Sequence, residues 1–124
     1  MAKNDDDAVR ALRQHIDSLD ALLLVPDDTL INAWSLKPIL LMTARHFLPV
    51  FGGPTDHFVK AGVTAARIPD FGGLIGDIKR ILHQFAQGTI PLPQYPSTLR
   101  TEVNEWVARA LSIDTERLLH SDER

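Results

Sequence analysis

One short pattern occurs twice in this chain, and both copies are of a type that can hold an anion. Leu48-Pro49-Val50-Phe51-Gly52-Gly53 is echoed by Ile68-Pro69-Asp70-Phe71-Gly72-Gly73. A helix is expected after each Gly-Gly, with Phe58 matching Ile78 and Lys60 matching Arg80. Glycines at a helix start leave backbone N–H groups bare, and a bare N-terminal turn favours negative charge. The candidate ligand positions are therefore Gly52, Gly53, Gly72 and Gly73, with Arg45, Arg67, Arg80, His46 and His83 as basic partners. A histidine in such a site would add pH dependence. The plainer expectation is a pair of corners: Pro ends one helix, Phe51 or Phe71 plugs the core, and the glycines turn the chain. Neither copy fits a Walker loop or a dinucleotide-binding fingerprint, both of which follow a strand.

The charge distribution points to the same central region. The 124 residues carry a formal net charge of −3, which argues against a nucleic-acid partner. Residues 29–100 hold seven basic and three acidic side chains, whereas both flanking segments are net acidic. Acidic ends packing near a basic middle explain this segregation as simply as a central anion site does.

Other chemistries lack their residues. There is no cysteine, which excludes disulfides, thiolate metal sites and cysteine nucleophiles. The five histidines show no His-x-x-x-His or Glu-x-x-His spacing, so no metal site is expected. No Gly-x-Ser-x-Gly elbow occurs, and Ser35, Ser97 and Ser112 sit where helix capping explains them. No catalytic constellation and no cofactor motif is evident. The acidic start lacks the apolar core of a secretory signal, and no apolar run approaches membrane-spanning length. The expectation is a cytoplasmic protein without a membrane partner.

The positioning elements read as helices. Residues 6–25 carry Val9, Leu12, Ile16, Leu19 and Leu23 at alternating three- and four-residue steps, an apolar seam suited to a self-association interface. Pro26 ends that helix. Residues 29–48 form a second helical region, capped by Asp28 and interrupted or restarted at Pro38, with a nearly all-apolar second half. Residues 54–67 and 70–87 read as two more helices, with Gly88 as a C-terminal stop. Thr89 to Pro96 holds three prolines and must be an extended connector. A helix capped by Ser97 or Thr98 then runs to about Leu111, and Asp114 caps a last turn.

The segment Leu12-Arg13-Gln14-His15-Ile16-Asp17-Ser18-Leu19-Asp20-Ala21-Leu22-Leu23 resembles the opening helix of the all-α chorismate mutases. The resemblance covers about a tenth of the chain. It implies an intertwined helical dimer in which Arg13 binds a substrate carboxylate. Pro26 breaks the helix where that family continues it, and Leu30 stands where its second arginine is expected.

Together these readings give one all-α domain over residues 1–124, a bundle of about five helices with a proline-rich connector and frayed ends at 1–5 and 121–124. The expected role is an interaction or regulatory module that binds a protein partner or itself. The alternative is a binder, or enzyme, for a small anionic ligand held at the Phe-Gly-Gly corners.

Overall fold

Three short apolar runs in this chain each end at a proline or glycine. They are Leu22-Leu23-Leu24 before Val25-Pro26, Val50-Phe51 before Gly52-Gly53-Pro54, and Ala65 to Ile68 before Pro69-Asp70. In the computed structural model, which describes residues 4–120, all three are strands. The elements are α1 (Asp5–His15), a 3₁₀ turn (Ile16–Ser18), β1 (Leu22–Leu24), α2 (Ala33–Arg45), β2 (Val50–Gly52) and α3 (Asp56–Ala61). They continue with β3 (Ala65–Pro69), α4 (Phe71–Ala86), β4 (Leu99–Val103), α5 (Glu105–Ala110) and α6 (Thr115–His120).

The strands form one sheet in the order β1-β2-β3-β4. β1, β2 and β3 run parallel, with Leu22 opposite Val50 and Phe51 opposite Ala65. β4 pairs antiparallel with β3, from Ala65 opposite Val103 to Pro69 opposite Leu99. The expected all-α bundle is thus corrected to an α/β fold. The physical reason lies in the strands' length and composition. A parallel strand buried by helices reads as a continuous apolar run, and three leucines in a row are indistinguishable by periodicity from a helix turn.

The element boundaries change accordingly. The expected helix 6–25 ends at His15, and its second half holds the 3₁₀ turn and β1. With it goes the helical dimer implied by the chorismate mutase resemblance, which needs that helix to be long. The expected helix 54–67 is α3 followed by β3, where Gly62 at φ +133° ends the helix. The expected helix 98–111 is β4 followed by the short α5, capped by Asn104 instead of Ser97 or Thr98. α2 is capped by Asn32, not Asp28, through a reciprocal box with Ser35. It runs unbroken through Pro38: the bond that Pro38 cannot donate would go to the carbonyl of Trp34, an exposed residue of the first turn where water can substitute. The apolar character of α2 is one-sided, since Leu36, Ile39 and Thr43 are buried while Leu41 is exposed. α4, its Gly88 stop at φ +82° and the irregular connector match their sequence expectations. α1 starts at Asp5 on an Asn4 cap, and the other residues expected to fray lie outside the described ones.

α2 and α3 cover one face of the sheet. Leu24, Leu36, Val50 and Val63 form one buried cluster, with Phe58 packed against it, and Val59, Ala66 and Ile68 form another. α1 packs outside α2, joining Leu12 and Ile16 to Ile39 and Leu48. Most of the supposed interface seam is therefore internal. Leu12 and Ile16 are core, Val9 and Leu19 pack against them, and only Leu23, in β1, is 69% exposed. Strand alternation turns Leu23, Phe51, Ala65 and Arg67 to the opposite face, where Leu118 of α6 reaches the margin. Among the described residues, no helix is long and apolar enough to cross a membrane.

Candidate functional site

Parallel strands bring their carboxyl ends to one edge, and open α/β sheets bind ligands outside that edge. Here the edge carries Val25-Pro26 after β1, Gly53-Pro54-Thr55 after β2 and Asp70 after β3. The turn after β2 is set by two glycines in the left-handed half of backbone space, Gly52 at φ +107° and Gly53 at φ +112°. Both are hemmed in. A Cβ on Gly52 would lie 2.5 Å from the Leu24 carbonyl oxygen, and one on Gly53 would lie 2.7 Å from the Phe58 side chain. Only glycine lets the chain leave β2 this close to β1 and to α3.

A depression of about 570 Å³ opens at this edge and runs onto the sheet face opposite α2 and α3, with Leu118 of α6 at its margin. Leu23 and Phe51 give it apolar walls, Pro26 and Gly53 form its rim, and Arg67 supplies a cation from β3. Its volume suits a small molecule. The arrangement offers an apolar surface, a backbone turn and one guanidinium, which is the chemistry for a ligand with a carboxylate and a bulky apolar group.

Of the nine residues singled out from sequence, three meet here: Gly52, Gly53 and Arg67. The second Phe-Gly-Gly lies elsewhere and differs in conformation. Gly72 and Gly73 are in the first turn of α4, and the chain's own Asp70 accepts from the Gly73 N–H at 3.0 Å. A carboxylate of the protein thus already occupies that helix start. The expected corner with Phe71 in the core is corrected as well, because Phe71 is 75% exposed. Arg45 and His46 end α2, which returns the chain to the opposite edge of the sheet. His46 faces the Met42 carbonyl at 2.9 Å through Nδ1 and Asp17 at 3.6 Å through Nε2. Arg80 is held by Asp77 at 3.2 Å and by Gln94 at 3.0 Å, and His83 is exposed on the last turn of α4.

Sequence reasoning missed the apolar walls of the depression. Leu23 stood as an interface residue and Phe51 as a core plug. The available signal was the recurring strand end, an apolar run broken by Pro or Gly with an Asp soon after: Pro26-Asp27, Pro54-Thr55-Asp56 and Pro69-Asp70.

Two carboxylates are electrostatically tuned. Asp77 accepts from the Ser97 hydroxyl at 2.6 Å and the Ser97 N–H at 2.9 Å. These bonds, then Arg80, hold its carboxyl below the ordinary value against the opposing effect of burial. Asp56 is lowered by its hydrogen bond and ion pair with Lys60 at 3.0 Å. Neither lines the depression. No group of three metal-ligating side chains occurs among the described residues.

A larger groove of about 680 Å³ lies between α2 on one side and α3 and α5 on the other, floored by Val50 and Thr64. It is almost wholly apolar. Its ionisable side chains, Lys37 and His57, are exposed at its rim. It lacks the backbone turn and the strand-end placement of the first depression, so it is the weaker candidate for a polar ligand.

No family model and no curated protein matches the chain. Solved structures do. An ABC domain in complex with L-Trp from Streptococcus pneumoniae is similar with a TM-score of 0.69 at 18% identity, covering 95% of this chain and 41% of that one. A conserved domain protein from Vibrio cholerae is similar with a TM-score of 0.65 at 20% identity, covering 91% of this chain and 38% of that one. The chain therefore spans about two fifths of the length of these structures. At such identities the likeness establishes the α/β fold that the strand pairing already describes.

Proposed function

We propose that this chain is a small-molecule-binding module whose site is the carboxyl-edge depression. The preferred ligand carries a carboxylate and a bulky apolar group, an aromatic amino acid being the simplest example. The observation that carries the reading is the convergence of Arg67 and the Gly52-Gly53 turn on an apolar depression at the ends of three parallel strands. Arg67 pairs with the carboxylate, and Phe51 and Leu23 meet the apolar group. The complex of a similar structure with L-Trp supports the ligand class.

Calorimetric titration and thermal shift with L-Trp, indole-3-acetate and benzoate test it. A ligand at about 100 times its Kd adds roughly 2.7 kcal/mol of apparent stability, a rise of several degrees in Tm. Arg67→Ala should remove the shift, whereas Arg45→Ala, on the far edge, should leave it intact. No shift with any of the three, or a shift indifferent to Arg67→Ala, would sink the reading.

A further inference from the structure

α4 is the longest helix and the least covered. Its inner side is tied to the connector 89–98: Asp77 holds Ser97, Arg80 holds Gln94, and Gly73 packs so tightly on Thr98 that an added Cβ would lie 2.7 Å from it. Helix and connector thus form an arm that leaves β3 and returns to β4. The outer side of the arm is a row of apolar side chains. Phe71, Ile75, Ile78, Leu82 and Phe85 recur at steps of four, three, four and three, and each is between 49 and 75% exposed. This is the heptad spacing of a helix–helix seam.

We infer that the outer face of α4 pairs antiparallel with α4 of a second copy of this chain, a contact that goes beyond the ligand-binding reading and does not depend on it. Three observations select a second copy as the occupant. First, the row is close to its own mirror about Ile78: Phe71 and Phe85 lie seven residues to either side, and Ile75 and Leu82 lie three and four. An antiparallel two-fold sets Phe71 against Phe85, Ile75 against Leu82 and Ile78 against itself, which is the self-complementarity an isologous dimer requires. Second, the surface is large enough. The five side chains expose on the order of 600 Å² per copy, so that pairing covers about 1,200 Å² in total, the lower bound for a stable interface. Third, the row itself carries no charge, and Gly76 beside it has nothing within 4 Å of an added Cβ, so a second helix can approach closely. Lys79 flanks Ile78 and would meet its symmetry mate, so association should strengthen with salt.

Sedimentation velocity from sub-micromolar to tens of micromolar tests the inference on the whole chain. The parent should dimerise, and more tightly at high salt. Ile78→Asp, at an exposed position, should weaken the dimer by about 100-fold while circular dichroism and cooperative unfolding persist. Trp34→Asp, an exposed apolar residue on α2, should leave it unchanged. Because the chain has no cysteine, cross-linking reports orientation: Ile78→Cys should form a disulfide dimer, and an equimolar mixture of Ile75→Cys and Leu82→Cys should cross-link as a heterodimer. A parent that stays monomeric, a dimer indifferent to Ile78→Asp, or Leu82→Cys cross-linking to itself would overturn the inference. So would a monomer that binds vesicles of one-third phosphatidylserine, weakening with salt, since that would identify a lipid surface as the occupant.

Discussion

The two Phe-Gly-Gly copies provide a sharp test, because one substitution should act with opposite sign in each. Gly52→Ala places a Cβ on a residue at φ +107°, a conformation that costs a residue with a side chain about 1–3 kcal/mol. The same Cβ sits 2.5 Å from the Leu24 carbonyl oxygen, in the last of the three pairs that join β1 to β2. Relief requires β1 and β2 to separate by several tenths of an ångström at least, which adds overpacking strain of about 1 kcal/mol or more. The total is about 3 kcal/mol, a large fraction of the roughly 6–18 kcal/mol expected for a chain of this length. Gly72→Ala is the reverse case. Gly72 is an exposed residue of α4 without positive φ, and its added Cβ would meet only the Asp70 carboxylate at 3.5 Å, an ordinary contact. Alanine there should stabilise by about 0.5–1 kcal/mol through helix propensity and a less disordered unfolded chain. Urea denaturation at sub-micromolar protein measures both without a contribution from association. With an m-value of about 2 kcal/mol/M, the midpoint should fall by roughly 1.5 M for Gly52→Ala and rise by about 0.3–0.5 M for Gly72→Ala. Shifts of the same sign, or a Gly52→Ala protein within about 0.5 kcal/mol of the parent, would refute the assignment of one copy to a strand end and the other to a helix start.

Four further outcomes follow from named contacts. Loss of the thermal shift with Arg67→Ala, and loss of the dimer with Ile78→Asp, test the depression and the α4 face separately. Asp77 has a folded pKa below its unfolded value, so its contribution to stability is present above about pH 4 and is lost as pH falls through the lowered folded value. The urea midpoints of the parent and Asp77→Asn, followed from pH 6 to pH 2, should therefore converge at the acid end, and a constant gap would count against the Ser97 and Arg80 pairing. Asn104 accepts from Val107 N–H at 3.2 Å and donates to the Val59 carbonyl at 2.8 Å, so Asn104→Ala should cost about 1–2 kcal/mol in the same assay.

Much of the local structure is legible in the residues. α4 has sixteen residues of strict helical spacing and a glycine stop, and its limits follow from pattern alone. Three prolines between 91 and 96 keep the connector out of any regular element. Asp114, expected to cap the last turn, does accept from the Glu116 N–H at 3.0 Å. The sheet is another matter. β1 and β2 have three residues each, so their hydrogen-bond partners, not their side chains, decide their conformation. Those partners lie 28 residues apart for β1 and β2 and 14 apart for β2 and β3, and parallel pairing leaves no alternation to read. β4, Leu99-Arg100-Thr101-Glu102-Val103, has polar residues at its centre and is held as a strand by β3 alone.

The candidate site divides in the same way. The sequence by itself determined that cations and glycine pairs lie in the centre of the chain, that thiol chemistry is excluded, and that no Walker-type pattern is present. Tertiary structure alone decided which copy of Phe-Gly-Gly borders the depression. Gly52 and Gly53 end a strand beside Arg67, whereas Gly73 gives its N–H to Asp70. It likewise turned the apolar seam of α1 inward and that of α4 outward. The two seams have the same spacing, and spacing states that a face must be covered without stating by what. For α1 the cover is α2. For α4 the described residues supply the connector on its inner side and leave the outer face exposed.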